Sequence, residues 1–174
     1  MLNQPIDEAI AAWPKQPKES ARRLIESYGQ PDEVTPSQLV WHEKAKPWKR
    51  TVLTAQEARH DFPSPHTDFV EQVIDYRVPF DKVAELAAYD GSVIVDRTRG
   101  ELSARCGGSS KNFLAINLAV DIINGRRTVD DARRVYAEVA RKFDEGQKDP
   151  LTEDFQFQMP MGATGDPDRS LSQA

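Results

Sequence analysis

The sequence has one cysteine, three histidines and no long apolar run, and each shortage excludes a class of protein. With Cys106 alone, neither an intramolecular disulfide nor a CxxC zinc motif can form. A membrane-spanning helix needs about 20 apolar residues, but the longest apolar stretch, residues 113–123, is interrupted by Asn117 and Asp121. The first residues lack the basic and apolar regions of a signal peptide. We therefore expect a soluble, cytoplasmic protein that does not bind membranes.

Positive charge is also scarce. The 23 lysines and arginines are outnumbered by 28 aspartates and glutamates, which gives a formal net charge of −5. Proteins that bind duplex nucleic acid need a basic surface to contact the phosphates. The charge balance therefore argues against nucleic acid as the partner.

Apolar periodicity predicts an α+β fold. We expect N-terminal helices, a mainly antiparallel sheet of four to five short strands, and a C-terminal helical hairpin packed on one sheet face. The helices are predicted over residues 5–13, 18–28, 111–124 and 129–143, with a short one after Pro79. The strands are predicted over residues 37–42, 50–54, 70–78, 92–96 and 101–105. The length of 174 residues suits one domain.

The C-terminal residues differ from the rest in composition. Residues 1–146 are predicted to form the single α+β domain, and residues 147–174, rich in proline and polar side chains, a tail. Within that tail an apolar comb alternates with other residues: Phe155, Phe157, Met159 and Met161. Such a comb suits an edge strand or a contact with a partner chain.

Two of the three histidines lie close to carboxylates. His60, His66 and Asp68 fall within nine residues of sequence. Imidazole and carboxylate are ligands for zinc, iron or manganese, so these three are the candidate metal ligands. Without a metal, His66 and Asp68 are candidates for an acid–base pair. The spacing matches no known motif, and these residues are equally compatible with an ordinary surface loop.

A glycine-rich turn precedes the helix predicted at residue 111. Its residues are Arg105, Cys106, Gly107, Gly108, Ser109, Ser110 and Lys111. Free backbone N–H groups and the helix dipole favour a phosphate or carboxylate there, and the same field would lower the thiol pKa of Cys106 and make it a candidate nucleophile. The segment does not match a Walker loop. The structural alternative is that Ser109 or Ser110 caps the helix.

A basic loop over residues 42–50 carries Trp48 beside Lys49 and Arg50. An aromatic side chain among cations can bind single-stranded nucleic acid, but an anchor for a protein partner is the stronger functional interpretation. A hairpin loop with a half-buried tryptophan and solvated lysines explains the segment as well.

The first functional expectation is therefore a non-catalytic binding or accessory protein that contacts a protein partner or itself. The alternative is a small enzyme or anionic-ligand-binding domain whose site combines the Arg105–Lys111 loop with the His60–Asp68 loop. Neither the presence of catalysis nor a cofactor can be assigned from the sequence.

Overall fold

The computed structural model describes residues 6–171. Residue 5, where the first predicted helix begins, and residues 172–174 of the predicted tail lie outside that range. The α-helices in it are α1 Ile6–Ala9, α2 Lys15–Tyr28, α3 Val83–Tyr89, α4 Ser109–Ile123, α5 Val129–Asp144 and α6 Pro150–Glu153. No helix in this range has both the length and the apolar character needed to cross a membrane.

The strands form one antiparallel sheet. They are β1 Glu33–Val34, β2 Gln38–His42, β3 Arg50–His60, β4 His66–Asp75, β5 Val93–Asp96 and β6 Glu101–Cys106. Their order is β1-β2-β3-β4-β6-β5, and all neighbouring pairs are antiparallel. The predicted antiparallel α+β class is confirmed, with six strands instead of four to five because the two-residue β1 adds an edge.

The central helix α4 lies on β4 and β6 and packs against α5. Every residue from 114 to 120 is buried, as expected for a helix that is apolar around most of its circumference. The side chain of Thr128 caps α5 by accepting the Asp131 backbone N–H at 3.2 Å. The predicted packing of the C-terminal helices on the sheet is confirmed.

A second apolar cluster lies under α2. It is built around Leu24 of α2, Leu39 and Trp41 of β2, and Leu53 of β3. The indole N–H of Trp41 donates to the Gly29 carbonyl at 2.8 Å, which ties the end of α2 to the sheet. The helix α2 therefore covers the β2–β3 side, and α4 covers the β4–β6 side.

The β3–β4 hairpin is longer than its apolar residues predict. β3 continues to His60 and β4 already begins at His66, so the intervening turn spans only residues 61–65. The register shifts between Leu53 and Ala58. The predicted ends at residues 54 and 70 are wrong because the far half of the hairpin carries polar side chains where apolar alternation would reveal a strand.

The C-terminal segment packs on its own chain. The ring centroids of Phe155 and Trp48 are 4.9 Å apart, and those of Phe157 and Tyr76 are 5.6 Å apart. The buried amide of Asn117 donates to the carbonyls of Leu151 and Asp154. Up to residue 171 this segment forms no strand. In place of the expected edge strand, the segment packs on the core, and only Met161 of the comb is fully exposed. The contact with a partner chain stays a prediction.

Candidate functional site

The β3–β4 hairpin brings the candidate metal ligands together. His60 and His66 are paired directly across the two strands, and Asp68 follows His66 by two positions on β4. Side chains two apart on a strand point to the same face. Each residue offers one candidate metal-ligand atom, a ring nitrogen or a carboxylate oxygen, and these three atoms lie within 4.8 Å of one another. The three residues therefore form one cluster, which we call the His–His–Asp cluster.

The contacts inside this cluster lack hydrogen-bond geometry. His66 Nε2 lies 3.0 Å from Asp68 Oδ1, and His60 Nδ1 lies 3.1 Å from Asp68 Oδ2. His60 Nδ1 and Asp68 Oδ1 are nevertheless both buried without a hydrogen-bond partner, and Asp68 is only 1% exposed. A buried polar atom left unsatisfied costs about 1–3 kcal/mol. The three candidate ligand atoms are close to one another, but they do not satisfy each other's hydrogen-bonding capacity.

The outer nitrogen of each histidine has an oxygen neighbour. His66 Nδ1 lies 2.8 Å from the Ser64 carbonyl oxygen, which can only accept, so Nδ1 carries the proton of the neutral ring and Nε2 keeps its lone pair. His60 Nε2 lies 3.6 Å from Asp90 Oδ1. Metal-binding histidines usually have such an acceptor at the outer nitrogen, because it fixes the tautomer and the ring orientation.

Cys106 lies at the edge of the cluster, with its Sγ 3.5 Å from His66 Nε2. Burial, followed by the negative charge of Asp68, raises the pKa of the Cys106 thiol to about 12. The sequence predicted a lowered pKa from the helix dipole, and that prediction is wrong because desolvation of the thiolate dominates. Without a metal, Cys106 is a neutral thiol at physiological pH and a poor nucleophile.

A cleft of about 940 Å³ opens beside the cluster. Its walls come from α2, the start of β4, the turn between β6 and α4, and the end of α5. His66 is a member of the cluster, Cys106 contacts it, and both also line the cleft. Gly107, Gly108 and Lys111 continue the same wall. The two loops that the sequence predicted to form one site are therefore neighbours. The volume is within the range of small-molecule sites.

The start of α4 in this cleft has no side-chain cap. Its N-cap residue is Gly108, and neither Ser109 nor Ser110 performs the capping that the structural alternative assigned to them. Ser109 Oγ instead hydrogen bonds with the hydroxyl of Tyr28, 2.9 Å away on α2. The first N–H groups of α4 therefore retain their capacity to bind an acceptor. Lys111 is paired with Asp144 at 2.9 Å, which offsets its charge.

Arg105 does not join the other members of the predicted anion site. Its position on β6 lies opposite Glu71 of β4 in the strand register, and it is not among the residues that line the cleft. Residues on a strand alternate between faces, so Arg105 and Cys106 point in opposite directions. This alternation explains why Arg105 lies apart from Gly107 to Lys111, the other residues of the predicted anion site.

Trp48, Lys49 and Arg50 do not form a free contact surface. Trp48 is 1% exposed and packs on Phe113, with their ring centroids 4.7 Å apart. Lys49 and Arg50 lie 3.0 and 2.9 Å from the carboxylate of Glu101. The proposed partner contact at Trp48 is wrong, because the indole is covered by the aromatic side chains of α4 and the C-terminal segment. The cations are largely neutralised within the chain.

Two residues near the cluster were not found from the sequence. Asp90 and Ser92 flank Gly91 in the turn between α3 and β5. Ser92 Oγ donates to Asp68 Oδ2 at 2.5 Å, and the Ser92 backbone N–H donates to Asp90 Oδ1 at 2.8 Å. Burial raises the pKa of Asp90, although the hydrogen bond from Ser92 opposes the shift.

Comparison of the chain with protein-family models, with curated proteins and with solved structures gives no match.

Proposed function

We propose that the protein binds a divalent transition metal, zinc or ferrous iron, through His60 Nδ1, His66 Nε2 and Asp68. The observation that supports this most directly is the burial of His60 Nδ1 and Asp68 Oδ1 without hydrogen-bond partners. Two imidazoles and one carboxylate are an established ligand set for both metals. A bound cation would coordinate these atoms and remove the free-energy cost of burying them without a partner.

The adjoining cleft supports a metal-dependent enzyme over a purely structural metal site. Three protein ligands leave at least one coordination position for water or substrate, as catalytic sites do, whereas structural zinc sites usually have four protein ligands. His66 belongs to the cluster and to the cleft wall. The open position would therefore be accessible to a small molecule held in the cleft.

An anionic group on that molecule is favoured by the uncapped start of α4 and by the metal itself. Backbone N–H groups at a helix start attract phosphate or carboxylate, and a divalent cation does so more strongly. Inorganic phosphate is the probe. Millimolar phosphate should raise the unfolding temperature of the zinc-loaded protein more than an equal concentration of chloride does. Equal effects of the two anions would reject an anionic ligand.

A role through protein contacts, the first expectation from the sequence, has less support. That expectation rested on Trp48 and the C-terminal comb, and the aromatic side chains of both pack largely against other residues of the same chain.

The metal proposal is tested by calorimetric titration of the metal-free protein with zinc chloride. We expect one zinc per chain for the wild type, and no saturable binding for His66→Ala or Asp68→Asn. His42→Ala is the matched control, because His42 contacts Glu33 on the exposed side of β2, away from the cluster. The proposal is overturned if the wild type binds no zinc, or if His42→Ala reduces binding as much as His66→Ala.

A further inference from the structure

The turn between α3 and β5 contributes two buried polar side chains to the surroundings of the His–His–Asp cluster. Asp90 is 4% exposed and Ser92 is 7% exposed. The turn is a separate part of the chain from the β3–β4 hairpin that carries the three candidate ligands. What these two side chains contact indicates what they do.

Ser92 determines which oxygen of Asp68 is occupied. Its hydroxyl donates to Oδ2 at 2.5 Å, and Oδ1 of the same carboxylate stays without a hydrogen-bond partner. An aspartate held in this way cannot rotate freely about its carboxylate axis. The free oxygen Oδ1 therefore keeps a fixed direction toward His66 Nε2, 3.0 Å away, while Oδ2 lies 3.1 Å from His60 Nδ1.

Asp90 has the corresponding relationship to His60. The ring of His60 lies between two carboxylates, with Nδ1 at 3.1 Å from Asp68 and Nε2 at 3.6 Å from Asp90. With a cation bound between Nδ1 and Asp68, the ring proton of His60 would lie on Nε2, where Asp90 at 3.6 Å would attract it electrostatically, at a distance too long for a hydrogen bond. The Ser92 backbone N–H holds Asp90 Oδ1 in position.

A buried carboxylate at this turn would be costly as a purely structural feature. Asp90 makes no ion pair with a lysine or arginine within residues 6–171, and its only basic neighbour at ion-pair distance there is His60. Buried carboxylates are normally paired or bind a cation. An asparagine would satisfy the same turn with no charge to bury.

We propose that Asp90 and Ser92 are the positioning residues of the metal site, Asp90 by fixing the tautomer and orientation of His60, and Ser92 by fixing Asp68 with one oxygen free. This inference rests on the proposed function, because it assigns a role relative to the same metal. Loss of such an outer contact typically lowers metal affinity about 10- to 100-fold.

The test compares the zinc affinities of Asp90→Asn and Ser92→Ala with that of the wild type, by competition with a chromophoric chelator. We expect each variant to bind one zinc with an affinity about 10- to 100-fold lower, and Ser92→Thr, which retains the hydroxyl, to recover most of the loss. Asp96→Asn and Ser103→Ala are the matched controls on the neighbouring strands. Both controls should bind zinc as tightly as the wild type.

Two further measurements separate positioning from a general structural role. The visible spectrum of the cobalt-substituted protein should change in Asp90→Asn and Ser92→Ala but not in the controls, because it reports the coordination geometry. The metal-free Asp90→Asn protein should unfold at a temperature no lower than the metal-free wild type.

The possible failures differ from one another. If the wild type binds no zinc, the proposed function falls and this inference falls with it. If the wild type binds zinc and both variants stay within about twofold of its affinity, the inference alone is wrong. A lowered affinity that is accompanied by an equal loss of metal-free stability, with an unchanged cobalt spectrum, also overturns it.

Discussion

His60 lies directly opposite His66 at the end of the β3–β4 hairpin, with their ring centroids 4.9 Å apart. Two imidazoles at this separation would repel each other if both were protonated. A metal bound as proposed would keep both rings neutral and use their lone pairs. The relationship therefore links the strand register directly to the chemistry proposed for the site.

The first prediction concerns stabilisation by zinc. Free zinc at one hundred times its dissociation constant should add about 2.7 kcal/mol to the free energy of unfolding. For a chain of this size that corresponds to a rise of roughly 5–10 °C in unfolding temperature. Calorimetric scans with and without zinc measure it. His60→Ala should show no rise and His42→Ala the full rise, and a rise of equal size in both variants would contradict the proposal.

The second prediction concerns acid sensitivity at Glu101. Burial favours the neutral form of this carboxyl, but hydrogen bonds from Arg50 and Lys49 outweigh burial and lower its pKa below the ordinary 4.5. A lowered pKa stabilises the folded state above the unfolded value, and this stabilisation is lost as the pH falls through the folded value. Glu101→Gln should therefore cost about 1–3 kcal/mol at pH 7 and little below both pKa values.

Urea unfolding of the wild type and Glu101→Gln at neutral pH and at successively lower pH measures this difference, which should shrink as the pH falls. Glu145→Gln serves as the control, because Glu145 pairs with Arg141 on the exposed surface of α5. Exposed pairs contribute little, so this variant should follow the wild type throughout the series. A Glu101→Gln cost that is independent of pH would show that packing, and not charge, stabilises this residue.

The third prediction concerns Gly100. Its φ is +68°, and an added Cβ would lie 2.2 Å from the carbonyl carbon of Thr164 in the C-terminal segment. Gly125 has a nearly identical φ of +69° with nothing within 4 Å of an added Cβ. Both alanine variants should lose about 1–2 kcal/mol from the left-handed backbone. Gly100→Ala should lose more, because it also displaces the segment.

Urea unfolding and the rate of tryptic cleavage after Arg169 separate these two effects. Cleavage should accelerate in Gly100→Ala and remain at the wild-type rate in Gly125→Ala. Equal stabilities and equal cleavage rates for the two variants would show that the close approach at Thr164 does not contribute to stability.

The fourth prediction concerns Asn117. Its side chain donates to the carbonyls of Leu151 and Asp154 and accepts the Gln156 backbone N–H. Asn117→Ala leaves these groups without their partner and should cost about 1–3 kcal/mol, the usual cost of leaving a buried polar group unsatisfied. Asn124→Ala removes one bond to Val120 within the same helix and should cost less. Guanidinium unfolding of both variants checks the order, and the reverse order would contradict it.

The elements whose apolar residues repeat regularly were predictable from the sequence. α4 and α5 lie within one or two residues of their predicted bounds, and the β5–β6 hairpin forms as expected. β3 was predicted to end too early and β4 to begin too late, because this part of the hairpin carries His60, His66 and Asp68 where a strand usually carries apolar side chains. β4 also ends at Asp75, three residues before its predicted end. The burial of Trp48 could not be predicted, since it depends on Phe155, more than a hundred residues away.

The candidate site was only partly visible in the sequence for a similar reason. His60, His66 and Asp68 are neighbours in sequence, so their clustering follows from a single hairpin. Asp90 and Ser92 come from a turn that reaches the cluster only after α3 has returned the chain to the sheet. Arg105 was grouped with Cys106 by adjacency, and strand alternation separates the two.

The packing of the C-terminal segment also bears on the order in which the chain can fold during synthesis. Phe155, which covers Trp48, is translated more than a hundred residues after it. The indole and the amide of Asn117 must therefore wait until residues 151–156 have left the ribosome before their surroundings are complete. A product of interrupted translation that stops before Phe155 would expose both groups and should be recognised by chaperones and proteases as unfinished.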